Sequence, residues 1–247
     1  MLRLLLALPV AAVLTTTAVA QSDTLSRGDV ETIVREYILA NPEVLEEAFA
    51  LLQERRQAEE AAARMASLEV YRDALVASPL DPVMGNPDGD VTLVEFFDYN
   101  CGFCRRAMDD LERLVEGDPN LRVVLKEFPV LGQQSMEAAA VSISVNRLHP
   151  EAYGEFHERL MRLEGAANGE TALDLAADME LPRDAIEESM RSDHVRDVVQ
   201  QSYEVAQALG LSGTPSYVVG DAIEFGAVGY DQLKERINQA RCGATEC

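Results

Sequence analysis

The 247-residue chain has no tryptophan, three histidines and four cysteines, and its 21 Lys+Arg are outnumbered by 43 Asp+Glu. Each scarcity excludes something. A net charge of −22 argues against nucleic acid as a partner, because phosphate binding needs clustered Lys and Arg, and disfavours an anionic membrane surface. Beyond residue 20 no apolar run approaches the length of about 20 residues that a membrane-spanning helix needs. His149, His157 and His194 show no ligand spacing, so no histidine-based metal centre is expected. Internal repeats and low-complexity tracts are absent as well. What remains is 47% hydrophobic and 26% charged, a globular composition with enough chain for one or two domains and a real core.

The first twenty residues stand apart. A single basic residue, Arg3, precedes an apolar stretch through Leu4, Leu5, Leu6, Leu8, Val10, Val13 and Leu14, and Ala18-Val19-Ala20 supplies a small-x-small cleavage pattern. Residues 1–20 therefore read as a signal peptide cut after Ala20, not as an anchor or a buried helix. Export in the bacterial manner would place the mature protein in the periplasm, where disulfides persist.

Residues 24–78 read as helix with one interruption. Val30, Ile33, Val34, Tyr37 and Ile38 form a stripe at helical spacing. Asn41-Pro42 breaks it, Asn41 suiting a cap for the next helix and Pro42 its first position. A second stripe runs from Val44 through Leu52 and resumes at Met65, Leu68, Tyr71 and Leu75. Such a rod cannot bury its stripe on itself, so homo-oligomerisation through residues 24–78 is expected, against the plainer reading that it packs on its own domain. Ser78 to Asp90 holds Pro79, Pro82, Gly85, Pro87 and Gly89 and reads as a linker. After it, residues 91–97 and 121–128 read as buried strands, with a helix over 101–116 between them. A helical region over 135–209 follows, broken near Pro150, Gly165–Gly169 and Pro182; then come strands at 216–219 and 222–225 and a helix over 230–241.

Cys101-Gly102-Phe103-Cys104 lies where the first strand hands over to a helix. A cysteine at a helix N-terminus meets unpaired N–H groups and the positive end of the helix dipole, which favour a nucleophilic thiolate. The second cysteine, one turn on, can resolve a mixed disulfide. Zinc uses the same spacing but would need two more ligands, and Cys242 and Cys247 form no second Cys-x-x-Cys. Four cysteines permit three pairings; with 101 and 104 as the redox pair, Cys242 and Cys247 are left to a small terminal loop. They read as a structural disulfide, with free or exchanging thiols as the alternative.

The segment from Glu95 to Cys104, the long helical insert and Gly213-Thr214-Pro215 before a strand together resemble the DsbA family of thioredoxin-fold thiol–disulfide oxidoreductases. The resemblance covers residues 85 to about 241. It implies an α/β thioredoxin fold with a large helical insertion, about 133–209, in a domain over 81–247, preceded by a helical region over 21–80. It also implies that Pro215 is cis and lies against the redox pair with Thr214. Glu95, six residues before Cys101 in an apolar strand, matches a family acid thought to move protons to and from the buried cysteine, and Lys126 a lysine that partners such acids. Asp98 is another nearby acid, or a surface loop residue.

One departure matters. DsbA-type oxidases commonly carry Pro-His between the cysteines, whereas Gly102-Phe103 is closer to DsbC-type isomerases. The helical N-terminal extension is similar to that of the suppressor-of-copper-sensitivity C proteins, some of which oligomerise and isomerise disulfides. The expectation is thus an exported disulfide isomerase or reductase acting on periplasmic protein substrates and kept reduced by a membrane redox partner. It needs no cofactor, since the electrons reside in the disulfide. The alternatives are a DsbA-type dithiol oxidase and, from another class, a Cu(I)-binding protein using the two thiolates.

Overall fold

A computed structural model describes residues 25–247; the signal peptide expected over 1–20 lies outside the described residues. Helix α1 (Arg27–Ala40) starts from a reciprocal capping box in which Ser26 Oγ accepts from the Asp29 N–H and the Asp29 carboxylate accepts from the Ser26 N–H at 2.9 Å. Asn41 does not cap the helix that follows. Its Nδ2 donates to the Tyr37 carbonyl at 2.8 Å and its backbone N–H to the same oxygen at 2.9 Å. The last carbonyls of a helix are acceptors without partners, and α1 offers them within reach of this amide. Helix α2 (Glu43–Val76) has 34 residues.

The chain divides into two units between Gln57 and Ala58, inside α2. In the first unit Val30, Ile33, Val34, Tyr37, Leu45, Phe49 and Leu52 are all exposed. The second unit is built on a five-stranded sheet in the order β1-β3-β2-β4-β5, from β1 (Val83–Gly85), β2 (Val91–Phe97), β3 (Leu121–Glu127), β4 (Ser216–Val219) and β5 (Ala222–Phe225). Strands β2 and β3 are parallel, joined by α3 (Gly102–Gly117), while β4 runs antiparallel to β2 and β5 to β4.

Strand β1 lies inside the segment that reads as a linker. It pairs antiparallel with β3, Val83 opposite Val124 and Gly85 opposite Arg122. Gly85 has φ +79°, and a Cβ there would stand 2.6 Å from the Leu121 carbonyl oxygen, so the strand ends on the residue that permits the approach.

The central strands are buried on both faces. On one, Leu93, Phe97, Val123, Leu125, Tyr217 and Val219 share a core with α3, with α9 (Tyr230–Cys242) and with the helical insert. On the other, Val94, Phe96, Val124 and Val218 pack with Leu68 and Leu75 of α2 and with Val205 and Leu209. The insert comprises α4 (Gln133–Leu148), α5 (Tyr153–Met161), α6 (Gly169–Asp178), α7 (Arg183–Met190) and α8 (Asp193–Ala208). Its helices part near Pro150, over 162–168 and at Pro182, as the punctuation predicts, and again at Arg191–Ser192, which carries neither Gly nor Pro. This is the α/β thioredoxin fold with a large helical insertion and a helical N-terminal region.

Candidate active site

Cys101 is the N-cap of α3, with extended backbone (φ −78°, ψ 110°). It sits there because β2 ends at Phe97 and the Cys101 N–H closes a turn onto the Asp98 carbonyl at 3.0 Å. Cys101 and Cys104 are free thiols, 6% and 1% exposed. The Thr214–Pro215 peptide bond is cis, and the Cys101 sulfur lies 3.1 Å from the Thr214 carbonyl oxygen. Phe103, Thr214, Pro215 and Phe225 line a groove of about 300 Å³ beside the thiols, and no charged side chain joins them.

The electrostatics separate the two sulfurs. The Cys104 thiol donating to Cys101 is the main influence holding Cys101 low, at about 5. The Thr214 side chain and the backbone N–H groups of Cys104 and Phe103 add to this, against a desolvation penalty. Cys104 is driven far above the ordinary thiol value, first by burial, then by its bond to Cys101 and by the Glu95 carboxyl. The pair therefore holds one anionic and one neutral sulfur at neutral pH, the arrangement of an attacking and a resolving thiol.

Glu95 is 1% exposed on the face of β2 that packs toward α3, and its Oε1 has no hydrogen-bond partner. Burial pushes its carboxyl up to about 8, a shift eased by the Tyr217 hydroxyl and increased by the Cys101 thiolate. Tyr217 stands directly opposite in the β2–β4 ladder. Its place two residues after Pro215 put it on the Glu95 face by strand alternation, a signal that sequence reading left unused.

Lys126 is fully buried but does not partner Glu95. In the parallel register Lys126 is opposite Phe96, so its side chain lies on the other face of the sheet, and it forms an ion pair with Asp81. Burial pushes Lys126 down and Asp81 up, and their mutual attraction opposes both shifts. Asp81 precedes β1 and carries no local signal of burial. Asp98 is buried, not a surface residue: its carboxylate accepts from the Asn100 N–H at 2.8 Å and the Leu131 N–H at 3.0 Å. His157, whose Nδ1 lies 2.9 Å from the Tyr99 hydroxyl, is kept neutral by burial, its midpoint lowered to about 3. Cys242 and Cys247 are joined by a disulfide at the end of α9. Among the described residues, no group of three or more His, Cys, Asp and Glu side chains is placed to hold a metal, and no helix is long and apolar enough to cross a membrane.

A family model for the DSBA-like thioredoxin domain matches residues 92–238, and one for the Copper resistance protein ScsC N-terminal domain matches residues 27–59. Among curated proteins, Disulfide bond formation protein D of Bacillus subtilis is 26% identical over 186 residues, spanning 69% of this chain and 83% of that protein. Among solved structures, a thioredoxin-like oxidoreductase from Silicibacter pomeroyi is 43% identical with a TM-score of 0.66, over 69% of this chain and 97% of its own. Proteus mirabilis ScsC in a transitional conformation is 32% identical with a TM-score of 0.66, over 88% of this chain and 97% of its own.

Proposed function

The chain belongs to the DSBA-like thioredoxin domain family and is a thiol–disulfide oxidoreductase of the DsbA/ScsC type, and from that premise we propose that it is an exported disulfide isomerase or reductase of periplasmic protein substrates. The observation that carries the exchange chemistry is the asymmetry of the thiols: Cys101 held at about 5 at a helix N-terminus, and Cys104 buried one turn on.

In the proposed cycle the Cys101 thiolate attacks one sulfur of a substrate disulfide. That S–S bond breaks, a Cys101–substrate disulfide forms, and the other substrate sulfur leaves as thiolate. The freed thiolate can attack another substrate cysteine's disulfide and, after rearrangement, expel Cys101, so that no electrons are consumed. Alternatively Cys104 loses its proton and attacks Cys101; the substrate leaves with two thiols and the enzyme is oxidised by two electrons. Glu95, next to Cys104, is suited to take that proton in its carboxylate form, which a midpoint of about 8 leaves as the minor fraction at pH 7. Thr214 and cis-Pro215 shape the groove that receives an extended peptide. Lys126, paired with Asp81 on the far face, is assigned a structural part.

Isomerase is preferred because Gly102-Phe103 sets no cation between the cysteines, as a strongly oxidising pair would favour. Such an enzyme requires a membrane redox partner that keeps the pair reduced. Assembly through residues 24–78 would cover the exposed stripe of α1 and early α2 and shield the thiols from oxidising machinery. One observation favours an oxidase instead: a thiolate stabilised this far stabilises the reduced form and so makes the disulfide more oxidising.

Reactivation of a scrambled multi-disulfide enzyme by the reduced mature protein, with Cys101→Ser as control, tests the reading. Recovery of native pairing that depends on Cys101 supports isomerisation. No recovery, with fast oxidation of a reduced substrate by the disulfide form, makes the protein an oxidase.

A further inference from the structure

The three residues leading into Cys101 all reach away from the sheet into the helical insert. The Asp98 carboxylate accepts from the Leu131 N–H at the entry to the insert, at 3.0 Å. The Tyr99 hydroxyl lies 2.7 Å from Ser142 Oγ and 2.9 Å from His157 Nδ1. Asn100, the nearest to the thiol, engages one buried residue with both halves of its carboxamide. Its Oδ1 accepts from the Ala167 N–H at 2.8 Å, and its Nδ2 donates to the Ala167 carbonyl at 2.7 Å and to Ser135 Oγ at 3.1 Å.

Ala167 is 0% exposed and lies between α5 and α6, where neither helix can pair its peptide groups. Asn100 thus does for Ala167 what a neighbouring strand would do, donating and accepting at once. Aspartate could only accept there, and leucine could do neither. Arg105 braces the same loop from the other side, Nε on the Tyr99 carbonyl at 2.7 Å and Nη1 on the carbonyls of Leu163 and Gly165, both at 2.9 Å. Asn100's own backbone N–H donates to the Asp98 carboxylate at 2.8 Å.

This anchoring bears on the sulfur one residue away. The Cys101 anion is held by donors on α3 and by Thr214, and hydrogen bonds weaken steeply as their angle and distance drift. A loop free to move at residue 100 would carry Cys101 off those donors.

We propose that Asn100 is a positioning residue for Cys101, and that through its hook on Ala167 the helical insert sets the reactivity of the attacking thiol. The insert is then part of the redox centre, not only a cover for it. The inference rests on Cys101 being the attacking thiol, but its test reads the thiol itself and not turnover.

In the reduced mature protein, the Cys101 thiolate is followed against pH by its ultraviolet absorbance and by its rate of alkylation. Asn100→Leu and Asn100→Ser remove the hook. Asn168→Ala is the control: Asn168 caps α6 by accepting from the Thr171 N–H at 3.0 Å, in the same segment and without touching Asn100. The expected result is a titration midpoint raised by about one pH unit in Asn100→Leu, about tenfold less thiolate on the acidic limb. The rise is smaller in Asn100→Ser. Asn168→Ala should melt earlier and keep the wild-type midpoint. A wild-type midpoint in both Asn100 variants overturns the proposal, as does an Asn168→Ala midpoint moved as far as that of Asn100→Leu. If Asn100→Leu does not fold, Asn100→Ser decides alone. A raised midpoint in an enzyme that exchanges no disulfides leaves this inference standing and sinks the proposed function.

Discussion

Replacing Glu95 by glutamine should stabilise the protein and slow it. The carboxyl is 1% exposed and has its midpoint raised from 4.5 to about 8, burial being the main cause. The folded state therefore prefers the protonated acid. Below pH 4.5 both folded and unfolded chains hold the proton and no penalty exists. As pH rises the unfolded chain releases it and the folded chain does not, so stability falls until about pH 8 and then levels off. At about 1.36 kcal/mol per pH unit, the full window is worth about 5 kcal/mol, of which about 3 kcal/mol is already lost at pH 7. Glutamine keeps the shape and never ionises. The gain of Glu95→Gln over wild type should thus grow by several kcal/mol from acid to mildly basic pH, read from urea denaturation of the reduced proteins at matched pH. Other buried acids, Glu127 among them, are common to both proteins and cancel in the difference. A gain that is the same at every pH would refute the reasoning. The same variant should exchange disulfides more slowly, because an amide cannot take the Cys104 proton, which is the trade expected where an acid is kept for chemistry at the expense of stability.

Cys104→Ser, lacking the resolving thiol, should accumulate a covalent Cys101–substrate adduct on non-reducing gels, and an adduct-free reaction would contradict the assigned roles. Asp81→Asn and Lys126→Met should each destabilise by about 3–5 kcal/mol in urea, since each strands a buried charge. The double variant Asp81→Leu/Lys126→Met should recover much of that loss, with exchange rates nearly unchanged throughout because the pair lies across the sheet from the thiols; a double variant as unstable as the sum of the singles argues against the pair. Because the Cys101 midpoint is depressed from 9.0 to about 5, its contribution to the reduced fold is complete above pH 9 and lost as pH falls through 5. The melting temperature of the reduced form relative to the disulfide form should therefore decline across that range, and a constant difference would mean that Cys101 is not an anion in the folded protein.

Much of this protein is legible in its sequence because it depends on neighbours a few residues apart. The β-formers of 91–97 end at a Cys-x-x-Cys whose next residues take a helical period, so the first thiol falls at a helix N-terminus. The insert parts where proline and glycine interrupt its pattern, and an acid inside an apolar strand marks Glu95 as costly and therefore meaningful. Other features depend on residues far apart in the chain. Three-residue β1 hides between Pro82 and Pro87, and becomes a strand only because β3, some forty residues on, offers an edge. Lys126 resembles a partner for Glu95 until the register places it on the other face, where Asp81 neutralises it. Asn100 shows no signal at all, since its partner is a backbone 67 residues away. Periodicity and residue chemistry therefore determined most of the elements and which cysteine pair stands at a helix N-terminus. Only tertiary packing decided which buried polar group meets which, because burial and hydrogen-bond geometry arise from chain segments that the sequence leaves apart.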